Sequence, residues 1–264
     1  MEYTDIIYTK EGNIATITLD RAERMNAFTP EMSHSIYRAV QDTAQDDSVR
    51  VLIIAGKGRA FCTGADVKAM AKRLDRSDGE GSDEDMRFGN AGFPVLFRTM
   101  EKPIIASING LAVGGGLDFA CCCDIRIASD QARFAEVFIR RGLIPALGGT
   151  FFLPRMIGVD KACEMIWTGD IIDAWEAERI GLVTKVVLHD ELEIATWELA
   201  EKLAKGPPLA IQRAKRAIYE GLTMDLQSNL DLAGSLLKEL RETEDHKEGA
   251  KAFIEKREPF FKGR

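Results

Sequence analysis

Asn109-Gly110-Leu111-Ala112-Val113-Gly114-Gly115-Gly116-Leu117-Asp118 is the stretch whose reading decides both the fold and the chemistry. Ahead of it, the apolar run Ile104-Ile105-Ala106-Ser107-Ile108 predicts a buried strand, and Asn109-Gly110 predicts a tight turn. Behind it, an apolar segment rich in Ala and Cys predicts a helix. Three glycines at a helix N-terminus leave unpaired N–H groups open, with no Cβ in the way and the positive end of the helix dipole behind them. This outlines an anion site. With the helix starting near Gly114, Asp118 falls about one turn beyond Gly115 on the same face, so a carboxylate stands beside whatever the amides hold. An oxyanion binder next to an acid/base group points to enolate chemistry, although close backbone packing alone also accounts for such a turn.

A second stretch repeats the design. Val51-Leu52-Ile53-Ile54-Ala55 predicts a buried strand, and Gly56-Lys57-Gly58-Arg59-Ala60-Phe61-Cys62-Thr63-Gly64-Ala65-Asp66-Val67-Lys68-Ala69-Met70 is a basic glycine turn running into another helix start. Repeated strand–turn–helix units with short crossovers imply parallel pairing, so the expected fold class is α/β.

Together the two glycine stretches resemble the crotonase (enoyl-CoA hydratase/isomerase) superfamily, whose two motifs they match in order and spacing. The resemblance runs from about Ile6 to Lys262. It implies a spiral of ββα units holding coenzyme A and the active site over residues 1–195, and a helical region for oligomerisation over 196–264. The partners it implies are an acyl-CoA thioester and further copies of the chain, as a homotrimer or a dimer of trimers. No cofactor is implied beyond the coenzyme A that the substrate carries.

The resemblance also assigns residues. The N–H groups of Ala65 and Gly115 form the oxyanion hole, and Asp118 is the acid/base group. Arg24 and Ala27, in the Arg21–Ala27 stretch, approach the pantetheine and phosphates. Arg59, Ala60, Asp66, Val67 and Lys68 continue the coenzyme A site, and Phe253 and Lys256 reach a coenzyme held by a neighbouring subunit. Met70 and Phe138 line the acyl pocket, with the polar segment over 75–85 as a lid.

The chain departs from the family at the second acid. Hydratases place a glutamate at the position that, counted back from Pro145, is Phe138 here; isomerase-type relatives place an aspartate after the proline, where this chain has Ala146. The first acid is Asp118 in place of the common glutamate, which shortens its reach by about 1.5 Å. Glu136 is the nearest replacement for the second, on the expectation that residues two apart in an extended segment share a side; pairing with Arg140 or Arg141 is its structural alternative. The expected reaction is hydration of a trans-2-enoyl-CoA, with Asp118 activating water and returning a proton to C2 and Glu136 assisting. Isomerisation, decarboxylation, thioester hydrolysis and a non-catalytic coenzyme A-binding subunit stay open.

The remainder of the chain sets bounds. At 264 residues, 45% apolar and 29% charged, it has the composition of a globular enzyme with a sizeable core. The net charge of -7 argues against nucleic acid or an anionic membrane as the main partner. No apolar run nears the roughly 20 residues of a membrane helix, and the N-terminus lacks a signal-peptide pattern, so a cytoplasmic location is expected. The five cysteines show no disulfide framework, and consecutive Cys121, Cys122 and Cys123 point about 100° apart on a helix with no histidine nearby, so no metal site is expected. No Gly-x-Ser-x-Gly elbow, Walker A motif or dinucleotide fingerprint is present. Thr29-Pro30 predicts a helix start, and long amphipathic helices are predicted over 190–205, 209–220 and 226–243.

Overall fold

The computed structural model describes residues 3–66 and 92–264. The expected lid over 75–85, Val67, Lys68 and Met70 lie outside the described residues.

Two sheets grow side by side along the chain. The first strands, β1 (Ile6–Glu11) and β2 (Ile14–Leu19), form an antiparallel hairpin. After α1 (Pro30–Gln45), β3 (Val51–Gly56) pairs parallel with β2, and the short β4 (Ala60–Cys62) leaves that sheet to begin a second one. The pattern repeats with α2 (Gly92–Thr99), β5 (Ile104–Ile108) and β6 (Leu111–Val113), then with α3 (Gly115–Cys122), β7 (Ile125–Ser129) and β8 (Arg133–Ala135). Each repeat adds one strand to each sheet, giving orders β1-β2-β3-β5-β7-β10 and β4-β6-β8-β9, with β9 (Ile172–Asp173) and β10 (Lys185–Val187) closing the edges. This is the expected ββα spiral of the α/β class.

Burial explains the strand composition. All five residues of β5 are buried, because the strand lies between β3 and β7 and both its faces are covered. Ile104, Ala106 and Ile108 enter the main core, whereas Ile105 joins Val51, Ile53 and Ile127 under α7 (Leu192–Lys205). The start of α1 is as expected: Pro30 occupies its first turn, and the Thr29 hydroxyl accepts the Met32 N–H at 3.1 Å.

Between the sheets and the C-terminal helices run α4 (Gly149–Ile157), α5 (Val159–Thr168) and α6 (Ala174–Arg179). Beyond α7 come α8 (Pro208–Gly221), α9 (Leu226–Arg241) and α10 (Glu244–Glu255). A buried charged cluster ties α8 to the sheet. Asp124, between α3 and β7, accepts the Ile104 N–H at 2.7 Å, the Lys215 ammonium at 2.8 Å and the Tyr219 hydroxyl at 2.5 Å. Lys215 also donates to the Phe97 and Lys102 carbonyls, so the cation is satisfied although its side chain is only 8% exposed.

Removing one partner of such a pair leaves a buried charge uncompensated. Asp124→Ala is therefore expected to destabilise the protein by about 3–5 kcal/mol, measured by denaturant unfolding at fixed protein concentration, with Lys215→Met the milder change because the stranded Asp124 carboxylate still accepts from the Ile104 N–H and the Tyr219 hydroxyl.

Candidate active site

The site forms where the end of β4 meets the start of α3. Gly114, at φ 54, turns the chain out of β6, and α3 opens at Gly115, whose N–H lies in the first turn, where the helix itself supplies no acceptor. A Cβ on Gly116 would overlap the Cys62 carbonyl, and one on Gly64 would come within 2.8 Å of the Gly115 nitrogen. Only glycine lets the two backbones approach this closely.

The Thr63–Asp66 turn is held from the other side. The Phe28 N–H donates to the Gly64 carbonyl at 2.8 Å, and the Asp66 N–H donates to the Phe28 carbonyl at 3.2 Å. In this parallel bridge the N–H of Ala65 points away from Phe28. Ala65 and Gly115 therefore present adjacent amides, the Ala65 nitrogen lying 3.9 Å from where a Gly115 Cβ would stand. Phe119, next in α3 to Asp118, is fully buried against Phe28, Phe61, Phe93 and Phe97, with ring centroids 5.2–6.2 Å apart. That packing fixes the helix that carries Asp118.

Asp118 is fully buried. Its Oδ2 accepts the Leu147 N–H at 3.0 Å, while Oδ1 lies against Gly149, where a Cβ would overlap it. Glu136, also fully buried, follows β8, and the Ala135 carbonyl before it accepts the Gly114 N–H at 2.8 Å. Among the described residues neither Glu136 oxygen nor Asp118 Oδ1 has a hydrogen-bond partner. Burial pushes the Asp118 carboxyl up to about 6, partly opposed by the Leu147 N–H. Burial, then the neighbouring Asp118 charge, holds Glu136 well above the usual carboxylate range. The two carboxyls thus share one dry compartment.

The argument that Glu136 and Phe138 share a side of an extended segment does not hold. Residues Val137–Arg141 form a 3-10 turn closed by Gly142 at φ 68, so the two residues do not alternate as in a strand. Glu136 reaches Asp118 because β8 ends beside β6. The Phe138 ring lies near Gly114, 3.7 Å from where its Cβ would stand. Arg140 faces the exposed Asp170 at 3.9 Å.

The other sequence-assigned positions fall in two groups. Ala27 and Ala60 are buried and Arg24 and Arg59 exposed, on turns joined by Asn26. The Asn26 side chain donates to the Lys57 and Ala60 carbonyls at 3.0 and 2.8 Å and accepts the Arg21 N–H at 2.9 Å. Asp66 lies 3.5 Å from the Arg21 guanidinium, which also donates to the Ala27 carbonyl. Phe253 and Lys256 stand exposed at the end of α10. Sequence reasoning overlooked the linking role of Asn26, whose tolerance of left-handed φ was the available signal, and the Leu147 N–H, which carried none. It also missed Cys62, whose Sγ accepts the Gly64 N–H at 3.4 Å and donates to the Asn26 carbonyl at 3.1 Å. Among the described residues no group of three or more His, Cys, Asp or Glu is placed to hold a metal ion.

The carboxyl pair has a pH signature. Both groups bind protons more tightly folded than unfolded, so their stabilising contribution is full below about pH 4 and is lost as pH rises through about 6 for Asp118 and higher for Glu136. Glu136→Gln is expected to raise the unfolding temperature at pH 8 and to leave it unchanged at pH 4. Thermal unfolding at the two pH values checks this.

Comparison with known proteins agrees with the geometry. The family described as enoyl-CoA hydratase/isomerase matches residues 9–264. The chain is 37% identical to the short-chain-enoyl-CoA hydratase of Clostridium acetobutylicum over 97% of each chain, and 37% identical to the crotonyl-CoA hydratase of Syntrophomonas wolfei over 99% of each. Its fold superposes on the crystal structure of an enoyl-CoA hydratase from Bacillus anthracis with a TM-score of 0.91 at 34% identity, covering 99% of this chain and 100% of that one. Sequence, fold and the paired glycine turns agree: the chain belongs to the enoyl-CoA hydratase/isomerase family.

Proposed function

We propose that the protein adds water across the double bond of a short-chain trans-2-enoyl-CoA, giving a 3-hydroxyacyl-CoA. The observation that carries this reading is the pair of buried, unequally shifted carboxyls, Asp118 and Glu136, beside the adjacent amides of Ala65 and Gly115.

The thioester oxygen accepts from the Ala65 and Gly115 N–H groups, each worth about 3–4 kcal/mol to a developing oxyanion. Near neutral pH the Asp118 carboxyl, pushed to about 6, is mostly ionised, and Glu136, which burial and that neighbouring charge hold well above the usual carboxylate range, is the proton donor of the pair. Asp118 takes a proton from water as the water oxygen bonds to C3, and the π electrons move into the enolate held by the amides. Glu136 then gives its proton to C2. A proton passing from Asp118 to Glu136 restores the starting state, so one water is consumed and nothing else changes.

Arg24, Ala27, Arg59, Ala60 and Asp66 supply the coenzyme A surface on the Asn26-linked turns, together with Val67 and Lys68. Phe253 and Lys256 serve a neighbour's coenzyme; their exposure at the end of α10 suits that role. Phe138 and Met70 bound the acyl group. The chain works as a trimer or a dimer of trimers through its helical region from residue 196 on. Five free cysteines suit a reducing, cytoplasmic setting. Among the described residues no helix is long and apolar enough to cross a membrane.

Incubation with crotonyl-CoA is expected to abolish the enone ultraviolet absorbance and to give a product heavier by one water. Asp118→Asn is expected to lower kcat by about 10²–10⁴-fold with little change in KM. A wild-type protein that binds the thioester without hydrating it overturns the reading.

A further inference from the structure

A cleft of about 680 Å³ lies between α2, α4 and α8, on the far side of the Gly148-Gly149 turn from Asp118. That volume is in the range of small-molecule sites. Its walls are mainly apolar, from Pro94, Val95, Phe151, Phe152, Tyr219 and Leu222. The charges around it are matched, with one exception. Glu101 faces Arg213 at 3.2 Å, Arg216 binds Glu220 at 2.7 Å, and Lys215 binds Asp124 at 2.8 Å. Arg98 is half-buried and has no hydrogen bond or ion pair among the described residues.

Arg98 is instead set against aromatic rings. Its guanidinium carbon lies 3.8 Å from the Tyr219 ring centroid and 4.9 Å from that of Phe152. Stacking occupies the faces of a guanidinium and leaves its edge N–H donors free, a rigid fork suited to a planar anion. Arg155, stacked on Phe151 at 3.7 Å, adds a second positive charge nearby. A half-buried cation beside apolar walls, which feels the Asp124 charge but has no carboxylate within ion-pair distance among the described residues, favours a ligand that brings both an anion and apolar surface.

We propose that this cleft binds a carboxylate carried on an apolar chain or ring, with Arg98 as its anion receptor. The carboxylate has two possible sources: a free carboxylic acid, or the distal end of a dicarboxylic acyl-CoA. A cation–π clamp between α2 and α8 is the competing role for Arg98, and it requires no ligand.

Calorimetric titration of the full-length protein with octanoate, 1-octanol and acetate tests the site without turnover, so its result is separate from that of the hydration assay. Octanoate is expected to bind at least ten-fold more tightly than either comparison compound. Arg98→Leu is expected to erase the preference over octanol. Val95→Trp, at a position 63% exposed on the cleft wall, is expected to block octanoate while leaving the fold intact. Equal binding of octanoate and octanol overturns the proposal, as does a preference for octanoate that survives Arg98→Leu or octanoate binding that survives Val95→Trp. Comparing octanoyl-CoA with its ω-carboxy analogue identifies the source: an Arg98-dependent preference for the ω-carboxy thioester places the carboxylate on the substrate, and octanoate binding without that preference makes it a separate ligand.

Discussion

The close approach of two backbones, at Gly64 against Gly115 and Cys62 against Gly116, is the contact on which the rest of the site depends. Any Cβ on Gly64 or Gly116 would separate the second sheet from the start of α3. Because none is present, the amides of Ala65 and Gly115 stand together, and α3 enters the core at an angle that places Phe119 among four phenyl rings and Asp118 in a closed compartment. Fold and site here rest on the same absence of side chains. The sheet topology supplies the framework: each repeat sends one strand to each sheet, so every return of the chain brings a new turn to the same end of the molecule.

The buried carboxyls show the cost of that arrangement. Three of their four oxygens have no partner among the described residues, which is unfavourable for stability and suits a pair kept for proton transfer. Their environments differ, and the difference underlies the roles proposed for them. Asp118 is anchored by the Leu147 N–H and titrates near neutrality, whereas Glu136 has no such donor and faces an existing charge. The fold holds them there through contacts made elsewhere, such as the aromatic packing of α3 and the bond from Gly114 to the Ala135 carbonyl.

Much of this was legible in the sequence because the signals were local. Glycine spacing, apolar runs and the Thr29-Pro30 cap report conformations that neighbouring residues determine, and they located β3, β5, α1 and α3. Glu136 was reached by a local argument that proved wrong: the following residues form a 3-10 turn, and the residue meets Asp118 because two strands of one sheet end side by side. The role of Asn26, joining turns some thirty residues apart through two hydrogen bonds, had no sequence pattern beyond a residue type that tolerates left-handed φ.

The sequence by itself determined the α/β class, the two glycine turns, the position of Asp118 and the family resemblance, because each rests on backbone conformations set within a few residues. Only the tertiary structure decided that Asp118 and Glu136 share a compartment, that the Leu147 N–H lowers the proton affinity of Asp118, and that Arg98 stands over a cleft with no ion pair among the described residues. Those facts depend on which distant segments meet and how much water is excluded when they do, and burial of that kind is a property of the packed molecule.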